Sequence, residues 1–310
     1  MSASTTAATG LAAVAAAGLG ALAWAAAETR MFTLREVTVP VLAVGQPDLR
    51  VLHISDLHLT PSQHDKIAWV RSLADLAPDL VVDTGDNMAH VGALPPLLRA
   101  LEPLMRFPGA FVMGSNDYFA PSFKNPARYL RADARSAGGH SDPVRLPADE
   151  LAAALSDAGW KDLTNRRDVV VADGRRIALV GVDDPHLDRD VFPAPEGGAG
   201  DVDLRMGVTH APYVRTLDQM HADGSEVVLA GHTHGGQLCV PFYGALVTNC
   251  DIDRGRAKGL HGWPGPRPDQ PGGHDSTWLN VCAGLGTSPY APLRFACRPE
   301  AVLVTLTSAR

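Results

Sequence analysis

Short apolar runs that stop at polar clusters dominate the chain after residue 49. Val51-Leu52-His53-Ile54 leads into Ser55-Asp56-Leu57-His58. Leu80-Val81-Val82 leads into Asp83-Thr84-Gly85-Asp86, and Ala110-Phe111-Val112-Met113 leads into Gly114-Ser115-Asn116-Asp117. Continuous runs of this length predict strands buried on both faces. Between them, residues 62–76 and 94–106 read as helices, the first closed by Pro78 and the second opened by Pro95-Pro96. Further along, a helix is expected at 148–158. Two strands over 169–183, joined by Asp173-Gly174, form a strong hairpin signal. A strand at 205–210, a helix at 212–221, a strand at 227–232 and closing strands at 278–283 and 301–306 follow. Residues 121–146 interrupt the pattern, with Arg128, Arg131 and Arg135 beside Gly138, Gly139 and Pro143. Residues 193–201 read as loop and the Pro/Gly-rich 260–276 as a flexible excursion. Alternating strands and helices are an α/β signature, and strands on both sides of the hairpin predict two packed sheets.

Composition narrows the function classes. With 310 residues, 45% of them hydrophobic, the chain can bury a large core and is not wholly disordered. Its net charge of −7 argues against a partner held by phosphate neutralisation, so no nucleic-acid binding is expected. Cys239, Cys250, Cys282 and Cys297 are too sparse for a disulfide scaffold and lack zinc-finger spacing, which leaves buried free thiols as the reading.

The first 27 residues contain no charge. Ala7 to Ala27 is long enough for a bilayer-spanning helix, although twelve of its 21 residues are Ala and three are Gly. No basic residue precedes it, whereas Arg30 and Arg35 follow. The expectation is a single-pass membrane anchor with the catalytic body in the cytoplasm. An exported form stays open, because the Ala27 region imitates a small-residue cleavage site. The expected organisation is therefore a hydrophobic segment at 1–30, a connecting segment at 31–49 and a catalytic domain at 50–310.

Four strand ends carry metal-type ligands: Asp56-x-His58, Gly85-Asp86, Gly114-Ser115-Asn116-Asp117, and His210 with Gly231-His232-Thr233-His234-Gly235-Gly236. Any one of these is weak evidence. Together, each after a predicted strand, they fall on one edge of a parallel sheet, where ligand sites form. Mixed carboxylate and imidazole donors suit Mn, Fe, Zn or Co better than Mg or Ca. A ligand set spread from Asp56 to His234 also favours one domain over two.

The order Asp-x-His, Gly-Asp-x, Gly-Asn-His-Asp/Glu, His, Gly-His-x-His belongs to the calcineurin-like metallophosphoesterase superfamily, which this chain resembles over roughly residues 50–306. Gly231-His232-Thr233-His234-Gly235-Gly236-Gln237 resembles its membrane-associated bacterial branch, as does the Gly/Pro-rich run 283–294. The resemblance implies a four-layer α/β/β/α sandwich and a dinuclear centre hydrolysing phosphomonoesters or phosphodiesters through a metal-bridging hydroxide. One ion would be held by Asp56, His58 and His234, the other by His210, His232 and an amide oxygen, with Asp86 bridging. The chain departs from the family at the third motif: Gly114-Ser115-Asn116-Asp117 lacks the usual histidine. Strict alignment puts Ser115 at the ligand position, but Ser is a poor ligand at neutral pH, so a one-residue shift makes Asn116 the expected ligand to the second ion, with Ser115 the alternative. Asp86, Asn116 and His210 are the residues expected closest to the chemistry.

Other residues carry weaker expectations. Asn87 would orient a ligand or phosphate oxygen, Asp183-Asp184-Pro185-His186 reads as structural ahead of shaping the pocket, and His53 would be packed behind the ligands. Asp117 reads as a helix-start residue ahead of a substitute acid. His261 and His274 are expected in solvent, and the arginines at 128–135 as a solvated charged face. An anchored enzyme makes a phospholipid or nucleotide-linked lipid a plausible phosphate-ester substrate. The alternative is a membrane-tethered metal-binding protein with little turnover, because the motif histidine is absent. Metal-assisted hydrolysis at carbon is disfavoured by the motif order.

Overall fold

The buried runs assemble into two six-stranded sheets in the computed structural model, which describes residues 3–122, 143–195 and 201–309. One sheet contains β1 (Thr33–Leu42), β2 (Leu49–Ile54), β3 (Leu80–Asp83), β4 (Gly109–Phe111), β5 (Lys161–Asp162) and β14 (Glu300–Ser308), in the order β1-β14-β2-β3-β4-β5. The other contains β6 (Arg166–Ala172), β7 (Arg175–Gly181), β8 (Leu204–Thr209), β9 (Val227–Ala230), β12 (Gly259–Trp263) and β13 (Thr277–Val281), in the order β12-β13-β9-β8-β7-β6. A short ribbon pairs β10 (Cys239–Val240) with β11 (Gly244–Ala245). The Asp173-Gly174 turn joins β6 to β7 with φ of +46° and +75°, the double left-handed geometry that tight hairpins need.

Apolar packing fixes the layers. Val51, Val82, Val112 and Val304 of the first sheet meet Val208 and Leu229 of the second in one buried cluster. On the far side of the first sheet, Leu52, Val81 and Phe111 pack against Val70 of α2 (His64–Ser72), Leu97 and Leu101 of α3 (Leu94–Leu101) and Leu155 of α5 (Ala148–Asp157). On the far side of the second, Val228 and Leu279 pack against Leu217 and Met220 of α6 (Val214–Ala222). The result is a mixed α/β fold with helices outside two facing sheets.

Parallel register brings the ligand loops together. Ile54 of β2 pairs with Asp83 of β3, and Asp83 with Phe111 of β4. In the second sheet Thr209 of β8 pairs with Ala230 of β9. The loops leaving all five strands therefore start at matching heights. A single turn, α4 (Ser115–Tyr118), follows β4.

Several expectations change. The segment 31–49, expected as a connection, contains β1, an edge strand running parallel to β14 from Thr33↔Glu300 to Leu42↔Ser308. Its charges and Pro40 disguise it in the sequence; both are tolerated at an edge, where one side of the ladder needs no partner. Arg35 caps the pairing with an ion pair of 2.8 Å to Glu300. Part of the expected excursion, 259–263, is the opposite edge strand β12, paired antiparallel with β13. His261 lies in that strand and its Nε2 meets Lys258 O at 2.8 Å, whereas His274 is exposed as expected. Arg128, Arg131 and Arg135 lie outside the described residues.

The N-terminal segment is helical, α1 (Ala3–Glu28), but no helix among the described residues is long and apolar enough to cross a membrane. The membrane-spanning expectation over 7–27 is thus not supported, since a run made mainly of Ala and Gly offers little apolar surface. The last turn of α1 docks on the body instead. Ala25 O accepts from Arg294 N at 2.9 Å, and the buried Glu28 carboxylate accepts from the backbone N–H of Ala296 (3.1 Å) and Cys297 (2.7 Å).

Leu229 sits between the sheets with no exposure, whereas Val171 on the edge strand β6 is 56% exposed. Leu229→Ala is expected to cost about 2–5 kcal/mol and Val171→Ala at most about 0.5 kcal/mol, read from urea midpoints.

Candidate metal centre

The ligand-bearing loops are bent in a way side chains ordinarily avoid. Asp56, His58, Asp86, His232 and His234 all have positive φ, between +40° and +69°. Non-glycine residues rarely adopt this left-handed region, and such strain concentrates at functional sites. Hydrogen bonds between loops hold it in place. Asp56 N donates to Gly85 O (2.8 Å) and His58 N to Asp86 O (2.9 Å). Lys66, buried on α2, reaches Leu57 O at 2.7 Å and pins the residue between the first two ligands. Gly231 must be glycine, because a Cβ there would collide with the side chains of Ser55 and Asp56.

Six side chains converge on one buried volume. His58 Nε2 and His234 Nε2 are 3.1 Å apart, and His210 Nε2 and His232 Nδ1 are 3.2 Å apart. Asp56 Oδ1 faces the first pair, 3.6 Å from His234 Nε2, and has no hydrogen-bond partner despite complete burial. Asp86 Oδ2 lies between the pairs, 3.5 Å from His58 Nε2 and 3.6 Å from His210 Nε2. Asp56, His58 and His234 form one group of converging ligand atoms, and Asp56, Asp86 and His210 another.

This donor set fits metal ions. Two imidazole nitrogens at such separations need a positive centre between them, either a proton or a cation. Donors bound at about 2.0–2.1 Å to one ion lie roughly 3 Å apart. Three of the four outer nitrogens are already engaged: His210 Nδ1 lies 2.7 Å from Thr84 O, His234 Nδ1 3.1 Å from Gly286 O and His232 Nε2 3.1 Å from Asn249 O, whereas His58 Nδ1 is buried without a partner. A backbone carbonyl on one ring nitrogen turns the other toward the site as a ligand.

Charge makes the same demand. Burial, together with Asp56 and Asp184, pushes the Asp86 carboxyl up to about 7, against the pull of His210. Burial pushes Asp83 up to about 8 and Asp184 up to about 6. His210 rises to about 9 because Asp86, Asp184 and Asp56 outweigh the burial that would lower it. His58 and His232 are held well below their ordinary range, chiefly by burial, and His234 is lowered to about 3 for the same reason. Those three rings are neutral at neutral pH, the form that binds metal. The carboxylates hold a proton on His210 that a cation would displace.

A second tier of residues aims the ligands. Asn280 Nδ2 donates to His53 Nδ1 (2.9 Å), and His53 Nε2 meets Thr84 Oγ1 at 3.0 Å. Thr84 donates to Ser55 Oγ (2.6 Å), and Ser55 to Asp56 Oδ2 (2.5 Å). This chain fixes one Asp56 oxygen and leaves the other facing the centre. Asp117 accepts from three backbone N–H groups, those of Asp86, Asn87 and Gly114, each at 2.9 Å. It is therefore a clamp on the Asp86 turn, in line with its expected helix-start place. Arg294, wholly buried, donates to the carbonyls of Ala283, Gly284 and Gly286 behind His234.

The expected ligands Asp56, His58, Asp86, His210, His232 and His234 are thus brought together. Asn116 meets the cluster through its main chain: its N–H donates to Asp86 Oδ1 at 2.6 Å, while its side-chain Nδ2 donates to Phe119 O at 2.9 Å. Asn87 is buried with its side-chain amide oxygen unpartnered. His186 lies at the second histidine pair, its ring centroid 4.7 Å from that of His232. Sequence reasoning missed the clamp role of Asp117, the Thr84–Ser55 relay and Arg294, whose signals are single polar residues at strand ends. All four cysteines are free; Cys250 is partly exposed and the other three are buried.

Fold and site together define a two-sheet α/β protein with a carboxylate–imidazole cluster at its strand ends whose donors fit metal ions. Residues 49–236 match the family model described as calcineurin-like phosphoesterase, and the chain belongs to that family. It is 26% identical over 292 residues to the uncharacterized metallophosphoesterase YkuE of Bacillus subtilis, spanning 91% of this chain and 86% of that one. It is 29% identical over 171 residues to the phosphodiesterase YaeI of Escherichia coli, spanning 54% and 56%. It is 24% identical over 290 residues to the UDP-2,3-diacylglucosamine pyrophosphatase LpxG of Chlamydia trachomatis, spanning 83% of each.

Removing the clamp in Asp117→Ala is expected to weaken binding of Mn²⁺ about 10–100-fold, measured by titration calorimetry, with the fold kept by circular dichroism. Burial lowers His53 to about 3. Below about pH 6.5 the unfolded chain binds a proton there that the folded chain does not, so stability falls as pH drops from about 6.5 to 3. His53→Gln should flatten that part of the stability–pH curve in urea denaturation.

Proposed function

We propose that the chain is a metal-dependent phosphoric ester hydrolase acting through a dinuclear centre. The observation that carries this is the placement of Asp86 Oδ2 between two histidine pairs, 3.5 and 3.6 Å from the nearest nitrogens. Asp56, His58 and His234 would hold one ion and His210 and His232 the other, with Asp86 placed to serve both. Family membership supports the reaction class, and relatives named as a phosphodiesterase and a pyrophosphatase support phosphorus as the centre attacked. The ions, when bound, supply Lewis-acid charge for the phosphoryl oxygens and an acidified water.

The protein's own residues set the geometry. Asp86 receives the Asn116 N–H on one oxygen, which turns the other toward the ions. Asn116 is proposed as the remaining donor to the second ion through its amide oxygen, since its amide nitrogen is held by Phe119 O. His186 and the buried side-chain amide oxygen of Asn87 border the place where a phosphoryl oxygen would lie. The proposed substrate is a lipid-linked phosphoester met at a membrane surface. A relative named for a diacylglucosamine nucleotide favours it.

The third motif supports a second reading. It carries no histidine to protonate a leaving group, so a metal-bound protein with little turnover is the competing possibility. Elemental analysis with hydrolysis of bis(p-nitrophenyl) phosphate separates the two. Two ions per chain and turnover that falls about 10³-fold or more in Asp86→Ala and His232→Ala, equivalent to about 4 kcal/mol, are expected. Full occupancy without turnover on any ester overturns the enzymatic reading. Asn116→Ala should lower occupancy of one ion; retention of both with unchanged affinity removes Asn116 from the ligand set.

A further inference from the structure

The ribbon that follows the Gly231–Gly236 turn carries apolar side chains outward. Phe242, at its tip, is fully exposed, and Tyr243, Leu238, Val240 and Leu246 are each at least 44% exposed. The ribbon and α1 grip the same stretch of chain. Cys239 N donates to Phe295 O (2.8 Å), while Ala25 O and Glu28 hold Arg294, Ala296 and Cys297. The exposed Leu19, Leu22 and Trp24 of α1 therefore belong to the same region as the ribbon. Positive charge stands beside this surface: the exposed Arg254 lies over the Tyr243 ring at 5.3 Å. A groove of about 490 Å³ runs between the ribbon and residues 254–258, lined by Gly235, Val240, Tyr243, Arg254 and Lys258. Gly235, on the groove wall, directly follows His234 in the chain.

We infer that the β10–β11 ribbon is a bilayer-docking element that seats the chain on anionic lipid and opens this groove to the membrane surface. The inference rests on the reading of the substrate as a lipid-linked phosphoester. A convex aromatic tip suits a fluid interface, where aromatic rings settle at the level of the headgroups. A flat or rigid protein surface would leave Phe242 standing off. Arg254 supplies attraction to anionic headgroups. The groove then takes the apolar part of the substrate, whose phosphate reaches His58 and His234.

The full-length chain is tested by co-sedimentation with phosphatidylcholine vesicles, with and without phosphatidylglycerol, and by hydrolysis of soluble bis(p-nitrophenyl) phosphate. The wild type should bind the anionic vesicles. Phe242→Ser/Tyr243→Ser should weaken that binding about tenfold or more, and Arg254→Glu should abolish the preference for phosphatidylglycerol. Leu246→Ser, at an exposed position outside the groove lining, should also weaken vesicle binding while keeping the wild-type rate on the soluble ester. Equal sedimentation of wild type and double variant overturns the inference. So does a concentration-dependent dimer that the double variant abolishes without any vesicle binding, which would assign the surface to a second copy. Vesicle binding that follows this pattern without soluble-ester turnover sinks the hydrolase reading and leaves the docking surface standing.

Discussion

Asp56, Asp83, Asp86, Asp117 and Asp184 are all buried at one end of two sheets, and that concentration of carboxyls is the constraint on which the rest depends. Burial alone disfavours each negative charge, and each acid makes its neighbours harder to ionise. The surrounding structure answers with backbone N–H groups on Asp117, a hydroxyl on Asp56 and four imidazoles. These groups leave one Asp56 oxygen without a partner and place pairs of nitrogens about 3 Å apart. Cations resolve both features at once, which explains why an acidic chain can bury so much of its charge here.

The scaffold's contribution is to place the loop origins. Five parallel strands in two sheets end at matching heights, and an apolar layer of Val, Leu and Met locks the sheets face to face. The loops then exchange backbone hydrogen bonds across strands, so that Asp56 is positioned by Gly85 and His232, and Asp86 by Asp117. Left-handed backbone at five ligands is the local cost of bending short loops toward one point, and these cross-links sustain it.

The region 283–297 links this centre to the periphery. Arg294 binds the carbonyls behind His234, the neighbouring residues receive Glu28 from α1, and Phe295 pairs with the ribbon at Cys239. One stretch of chain therefore touches the metal-ligand loop, the N-terminal helix and the outward apolar surface.

The strands and helices of the body were legible in the sequence because buried runs and amphipathic stretches carry their own periodicity. The convergence of six of the seven expected ligand side chains was legible because donor-rich motifs recur after each run. β1 and β12 were not, because edge strands need no continuous apolar pattern and are defined by pairing with β14 and β13, far along the chain. The apolar N-terminus looked like a span by its lack of charge, yet Ala and Gly give it too little apolar surface. Asp117, Ser55, Thr84 and Arg294 are ordinary polar residues in the sequence. Their roles arise only from what lies within 3 Å once the loops meet. Asn116 shows the divide most plainly: sequence places it in the third motif, but only the fold sets its N–H on the bridging carboxylate and its amide on Phe119. Sequence alone determined which donors the chain owns and in what order. The tertiary structure decided which atoms face each other, because distance between loops is a property of sheet register and packing that no single segment contains.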